Sequence, residues 1–286
     1  MRAFINRQIF PVAAWLASSF IAFAVLTSEP AAATELSDRF AKAKAGSQAV
    51  VDHDAWTRLL KTYVVVSDDG INRVTYADFK RDGHQALKTY IKGLEATDVA
   101  TLDRAELFAF WANLYNAKTI DVVLDAYPVA TIKDIKLGGG LIAAFTGGPW
   151  KAKVTKVSGV ELSLDDIEHE ILRPGFGDPR VHYAVNCASI GCPNLLTEAF
   201  TGAKLEAQLD AGARAYINHA RGISVRNGSV TASSIYDWFG KDFADVPGGV
   251  LGHAKTYAAP GLKRELENIT AISKYGYDWS LNDASR

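Results

Sequence analysis

Asp103-Arg-Ala-Glu-Leu-Phe-Ala-Phe-Trp-Ala-Asn-Leu-Tyr-Asn-Ala-Lys-Thr-Ile-Asp-Val-Val-Leu-Asp-Ala126 reads as one long helix that is apolar on two faces. Glu106, Phe110, Asn113, Ala117, Ile120 and Leu124 fall on one face, and Phe108, Trp111, Tyr115 and Val122 on the other. Such a helix is mostly buried. Thr101 is placed to cap it, and Tyr127-Pro128 ends it. Glu106 and Asn113 therefore fall in or beside the core, with Asn116 at the edge of the stripe. Buried polar side chains need partners. Two uses stay open: binding loop backbone, or lining a site and orienting a catalytic group.

The flanking segments set the fold class. Residues 34–48 read as a helical or frayed lead-in. Asp54 to Val65 is a helix with Trp56, Leu59, Leu60 and Tyr63 on one stripe, and Ala77 to Leu94 a second one. Ser67-Asp-Asp-Gly70 is a turn, followed by an extended Asn72–Tyr76. After the long helix, Lys153–Val157 and Val160–Leu162 flank Ser158-Gly159 as a hairpin. Ser163 caps a helix over 164–172, with Asp166 in the capping-box position. Leu205–Ala220 is amphipathic. Asn227-Gly228 is a strong hairpin turn between 223–225 and 229–231. Pro260–Asn268 is helical, and Tyr275–Asn282 forms an aromatic tail on the body. Helices first, then strands mixed with helices, predict a single α+β domain with helices packed on a small, mostly antiparallel sheet.

Composition bounds the function. The 286 residues carry 31 basic and 32 acidic side chains. No polybasic block is present, so nucleic acid and anionic membranes are not expected partners. Arg2 and Arg7, an apolar run from Ile9 to Leu26, and Ala31-Ala32-Ala33 read as a secretory signal peptide over 1–33, cleaved after Ala33. The rest, 34–286, is one domain with no stable membrane insertion after cleavage. Its expected destination is the periplasm or the exterior. An oxidising compartment favours a disulfide between the two cysteines of the chain, Cys187 and Cys192.

Both cysteines lie in Asp178-Pro-Arg-Val-His-Tyr-Ala-Val-Asn-Cys-Ala-Ser-Ile-Gly-Cys-Pro193. Val181–Val185 reads as a short buried strand opening into a small-residue loop, a common place for reactive groups. On a continuous strand His182 and Cys187 face opposite sides, roughly 16 Å apart. They form a dyad only if Asn186–Ser189 turns. A thiol nucleophile needs a base in reach and a group that orients it. Asn113, Asn116 or Glu106 are candidates for orientation. Trp111, Tyr115, Asn186, Ser189 and Trp150 are candidates for lining a cleft. Gly138-Gly139-Gly140 and Gly147-Gly148-Pro149-Trp150 bracket an apolar loop with the composition of a lid, but without the strand-then-helix context of a phosphate loop. No cofactor is expected, and no metal site. His182, Cys187 and Cys192 could supply three ligands, but Asp52-His53-Asp54 and His169 have no ligand partner at a recognised spacing. Asp52-His53-Asp54 is read as exposed, and Asp165-Asp166 as a cap.

Phe110-Trp-Ala-Asn-Leu-Tyr-Asn-Ala117 with Glu106, together with His182-Tyr-Ala-Val-Asn-Cys-Ala-Ser189, resembles the domain-of-unknown-function family five-four-seven. The resemblance covers about Asp52 to Asn282. That family occurs in exported bacterial proteins and, fused to leucine zippers, in plants, and it implies no settled activity. Its plant members keep the position of Cys187 but show serine near Cys192, which argues against an obligatory disulfide. A buried helix followed by a strand opening with His182 is also remotely similar to papain- and transglutaminase-like thiol enzymes. In those a cysteine starts the helix, whereas here Glu106 or Asn113 stands in its place. Two readings result. One is a thiol hydrolase or acyltransferase on peptide or amide bonds, with Cys187 attacking, His182 as base, and backbone N–H groups of Ala188–Gly191 holding the oxyanion. The other is a non-catalytic binding or scaffold domain closed by a Cys187–Cys192 bridge. The partner in either case is an unknown peptide or small molecule.

Overall fold

Residues 34–137 and 148–285 are described in the computed structural model. The leader expected at 1–33, and the Gly138–Gly147 part of the expected lid, lie outside the described residues. Three helices lead in: α1 (Glu35–Phe40), α2 (Asp54–Tyr63) and α3 (His84–Glu95). They surround α4 (Arg104–Ala126), in which every residue from Glu106 to Leu124 is buried, as its two apolar faces require. Its cap is Asp103, whose carboxylate accepts from the Glu106 amide at 2.8 Å. Thr101 instead closes the preceding short turn, donating to the Asp98 carbonyl. The first oxygen-bearing side chain in register for the helix amides wins the cap.

Among the described residues, the strands form three small sheets. β1 (Val64–Val66) pairs antiparallel with β2 (Asn72–Val74), and β3 (Thr155–Val157) with β4 (Val160–Leu162). In the second hairpin Ser158 and Gly159 both take positive φ, as a tight two-residue turn requires. Ser163 and Asp166 exchange their capping bonds at 3.1 and 2.6 Å. The helix they open runs on through Arg173–Phe176.

The expected strand at Val181–Val185 is a helical turn, α5 (Val181–Ala184). The cause is local. Asp178 accepts the Arg180 amide through its carboxylate at 2.8 Å, and the carbonyls of Asp178, Pro179 and Arg180 accept the amides of Val181, His182 and Tyr183. An Asp-Pro start winds the chain before the apolar run can extend. Beyond it lie α6 (Leu205–Ile217), then β5 (Ile223–Arg226) and β6 (Ser229–Ser233) about the Asn227-Gly228 turn. α7 (Ile235–Trp238), α8 (Gly249–Tyr257), α9 (Pro260–Leu266) and β7 (Lys274–Gly276) complete the domain. β7 joins β6 in the one parallel pairing among the described strands. The architecture is α+β with mostly antiparallel pairing. Two apolar clusters form, one around α4 and one around Tyr216, Tyr236 and Phe243. No helix among the described residues is long and apolar enough to cross a membrane.

Candidate functional site

The polar residues of α4 meet loop backbone. Glu106 accepts the amides of Val51 and Gly202 at 2.8 and 2.9 Å. A side chain at position 202 would strike that carboxylate, since a Cβ there would lie 2.6 Å from it. Asn113 pairs with both backbone groups of Phe200, donating to its carbonyl at 2.8 Å and accepting its amide at 3.0 Å. Asn116 donates to the Ala184 carbonyl and accepts the Asn186 amide, each at 2.8 Å. It thus fixes the chain between α5 and Cys187. Trp111 is fully buried and donates to the Phe40 carbonyl. None of these four lines the cleft that holds the cysteines.

That cleft, a cavity of about 170 Å³, opens between the two apolar clusters. Its walls include Tyr115, Trp150, His182 and Cys187, four of the ten expected site residues, together with Cys192. Cys187 and Cys192 are placed to form a disulfide, with Cα atoms 6.3 Å apart. Cys192 is buried, whereas Cys187 is half-buried. The Tyr277 hydroxyl lies 3.1 Å from the Cys187 sulfur, 3.0 Å from that of Cys192 and 2.9 Å from the Ser189 hydroxyl. Burial raises the Tyr277 phenol well above its ordinary range, so it stays a proton donor. Asn186 shapes the loop, donating to the Pro193 carbonyl and accepting the Ala188 amide.

Three of the four amides of the expected oxyanion hole are engaged. The amides of Ala188, Ile190 and Gly191 are spent on the Asn186 side chain and on the carbonyls of Ser280 and Asp278. The aromatic tail folds back against this loop and takes the amides of Ile190 and Gly191.

His182 is buried and stacks on Phe239, ring centroids 4.6 Å apart. Its Nε2 lies 2.7 Å from an Asp242 carboxylate oxygen. Asp242 is also gripped by Arg173 through two bonds of 2.6 and 3.0 Å. Burial opposes ionisation of Asp242, yet the hydrogen bonds and charges of His182 and Arg173 outweigh it and hold the carboxyl well below its usual range. Nδ1 of His182 pairs with no group among the described residues and is not one of the buried polar atoms left unsatisfied. His182 is one of the residues that line the cleft. The arrangement gives a histidine oriented on one nitrogen by a carboxylate, with the other nitrogen available for proton transfer.

Sequence reasoning left several lining residues out. Trp238, Phe239, Tyr277 and Trp279 add an aromatic wall, with Trp238 and Trp279 stacked at 5.7 Å. Asp165, Glu168 and His169 form an acidic edge of the same cleft, the His169 ring 5.5 Å from that of Phe239. Burial, with Glu168 and Asp166 nearby, raises the Asp165 carboxyl against the opposing pull of His169 and Lys151. The density of aromatics in the tail was the signal available for the wall. His53, read as exposed, is buried, with Nδ1 2.7 Å from the Tyr90 hydroxyl. Among the described residues one trio with metal-ligand chemistry converges elsewhere, His84, Asp121 and Asp125. Lys88 and Lys118 already sit on its carboxylates at 2.6 to 3.2 Å, which supplies the cation charge there.

Residues 99–217 match the family described as Protein of unknown function, DUF547, the family the two motifs resemble. The match takes in α4, α5, both cysteines and Glu168, and stops short of Asp242 and the aromatic tail. The comparisons with curated proteins and with solved structures found no match.

Proposed function

We propose that the chain is an exported thiol enzyme of acyl transfer, held inactive while Cys187 and Cys192 are bridged. The observation that carries this reading is the shared cleft. Cys187, the more accessible sulfur, and His182, oriented by Asp242, line the same cavity. A dithiol reductant would open the bridge, giving up two electrons and two protons to the cysteines and becoming a disulfide itself. Cys187 would then pass its proton to His182 and attack the acyl carbon of an amide or peptide. The C–N bond breaks, and His182 returns the proton to the leaving amine. Water releases the acid from the thioester. Tyr277, facing the sulfur, would steady the oxyanion, since the amides of Ala188, Ile190 and Gly191 are spent.

A second reading keeps the cleft as a binding site and the bridge as permanent. The engaged loop amides and the Tyr277 contact to both sulfurs favour it.

Reaction with p-nitrophenyl acetate, followed by intact mass, separates the two. The enzyme reading expects an acetyl adduct on Cys187 after reduction, none on the bridged protein, and none in Cys187→Ser. Equal labelling of reduced wild type and Cys187→Ser would leave only the binding reading.

A further inference from the structure

We infer that the cleft receives an organic ammonium group, held between the Trp238–Trp279–Tyr277 wall and the Asp165–Glu168 edge. The inference deepens the acyl-transfer reading by giving the charge of the substrate, and it rests on separate observations. Trp238 is 47% exposed, although its indole is one of the largest apolar groups in the protein. It stacks on Trp279 at 28° and packs on Tyr277 at 5.0 Å, so its outer surface is held in place and left uncovered. Ring faces attract cations. Rings of this wall already do so within the protein: the Lys133 ammonium lies 4.9 Å from the Trp279 centroid, and the Arg173 guanidinium 4.5 Å from that of Phe239.

The same cleft also supplies the charge. Glu168 is buried and Asp165 half-buried, and among the described residues neither has a lysine or arginine within ion-pair distance. Their nearest basic neighbour is His169, 3.8 Å from each, while Lys151 acts on Asp165 from farther away. Arg173 is ion-paired with Asp242 and bonds the His169 ring at 3.1 Å, without reaching either carboxylate. A carboxylate taken out of water without a counter-charge is costly. An arriving ammonium supplies that charge and covers the rings in one step. A neutral sugar would cover the rings and leave the charge unmet.

The test is made on the bridged protein, so it does not depend on a working thiol. Choline and 3,3-dimethylbutan-1-ol have the same shape and differ in charge. Titration of each, followed by the indole N–H resonances, should show choline binding about tenfold more tightly than its neutral isostere. Asp165→Asn should reduce choline affinity several-fold and leave that for the isostere nearly unchanged, whereas Trp238→Ala should weaken both and choline the more. Equal affinity for the two probes, or no shift of any cleft indole with choline, would overturn the proposal. An inert Cys187 would leave it standing.

Discussion

Asp242 carries more of the site than any residue the sequence singled out. It lies sixty residues beyond His182, and nothing in its neighbourhood, Gly-Lys-Asp-Phe, marks it as anything but a turn aspartate. His182 and Cys187 were legible because a histidine and both cysteines crowd one short segment. The carboxylate that His182 meets was not, because the chain returns to it only through the tertiary fold. The depressed Asp242 carboxyl is ionised more readily in the folded than in the unfolded chain. Its contribution is therefore full above the ordinary value of 3.8 and is lost as the pH falls toward its folded value. Asp242→Asn should lower stability at pH 7 and flatten acid denaturation below about pH 4, read by urea unfolding across pH. An unchanged acid slope would contradict the assignment. Asn113 is a different case, legible as buried polar but not in its use. Asn113→Leu leaves the amide and carbonyl of Phe200 buried and unmet, and should cost about 2–4 kcal/mol in chemical denaturation.

Elements were read best where one local rule dominates. The two-faced pattern of α4 predicts burial, and burial is what forms. Both hairpin turns, Ser158-Gly159 and Asn227-Gly228, sit where residues tolerant of positive φ fall between alternating runs. The error at Val181–Val185 arose where two local rules competed, an apolar run against an Asp-Pro turn initiator. The helix Gly249–Tyr257 had no clear periodic signal, since it opens on glycines and buries only His253 and Ala254. The cap of α4 gives a sharp test. Asp103→Ala should destabilise the protein by about 1 kcal/mol, and Thr101→Ala by much less. Thermal unfolding of the two variants side by side decides between them, and the reverse order would return the cap to Thr101.

At the scale of the molecule, two apolar clusters meet at a cleft, and the aromatic tail closes one wall of it. The sequence placed the tail on the body, but its contact with the cysteine loop is a property of the whole fold. Two buried histidines link that fold to pH. Burial lowers His53 and His253 to about 4, against the opposing charges of Asp52 and Asp178 respectively. The unfolded chain takes up those protons near 6.5, so stability should decline as pH falls from 6.5 toward 4 and level off below. The limit is roughly 3 kcal/mol for each. His253→Phe should reduce that slope in a series of melting curves, and an unaltered slope would remove His253 from the account. The central claim, a thiol beside an oriented histidine, is tested most directly in Cys192→Ser, which leaves Cys187 unbridged. The measurement is its rate of alkylation by iodoacetamide as a function of pH. The account predicts an inflection well below the ordinary thiol value of about 8.5, lost when His182→Ala is added. A rate that rises only near that ordinary value, the same with and without His182, would contradict it.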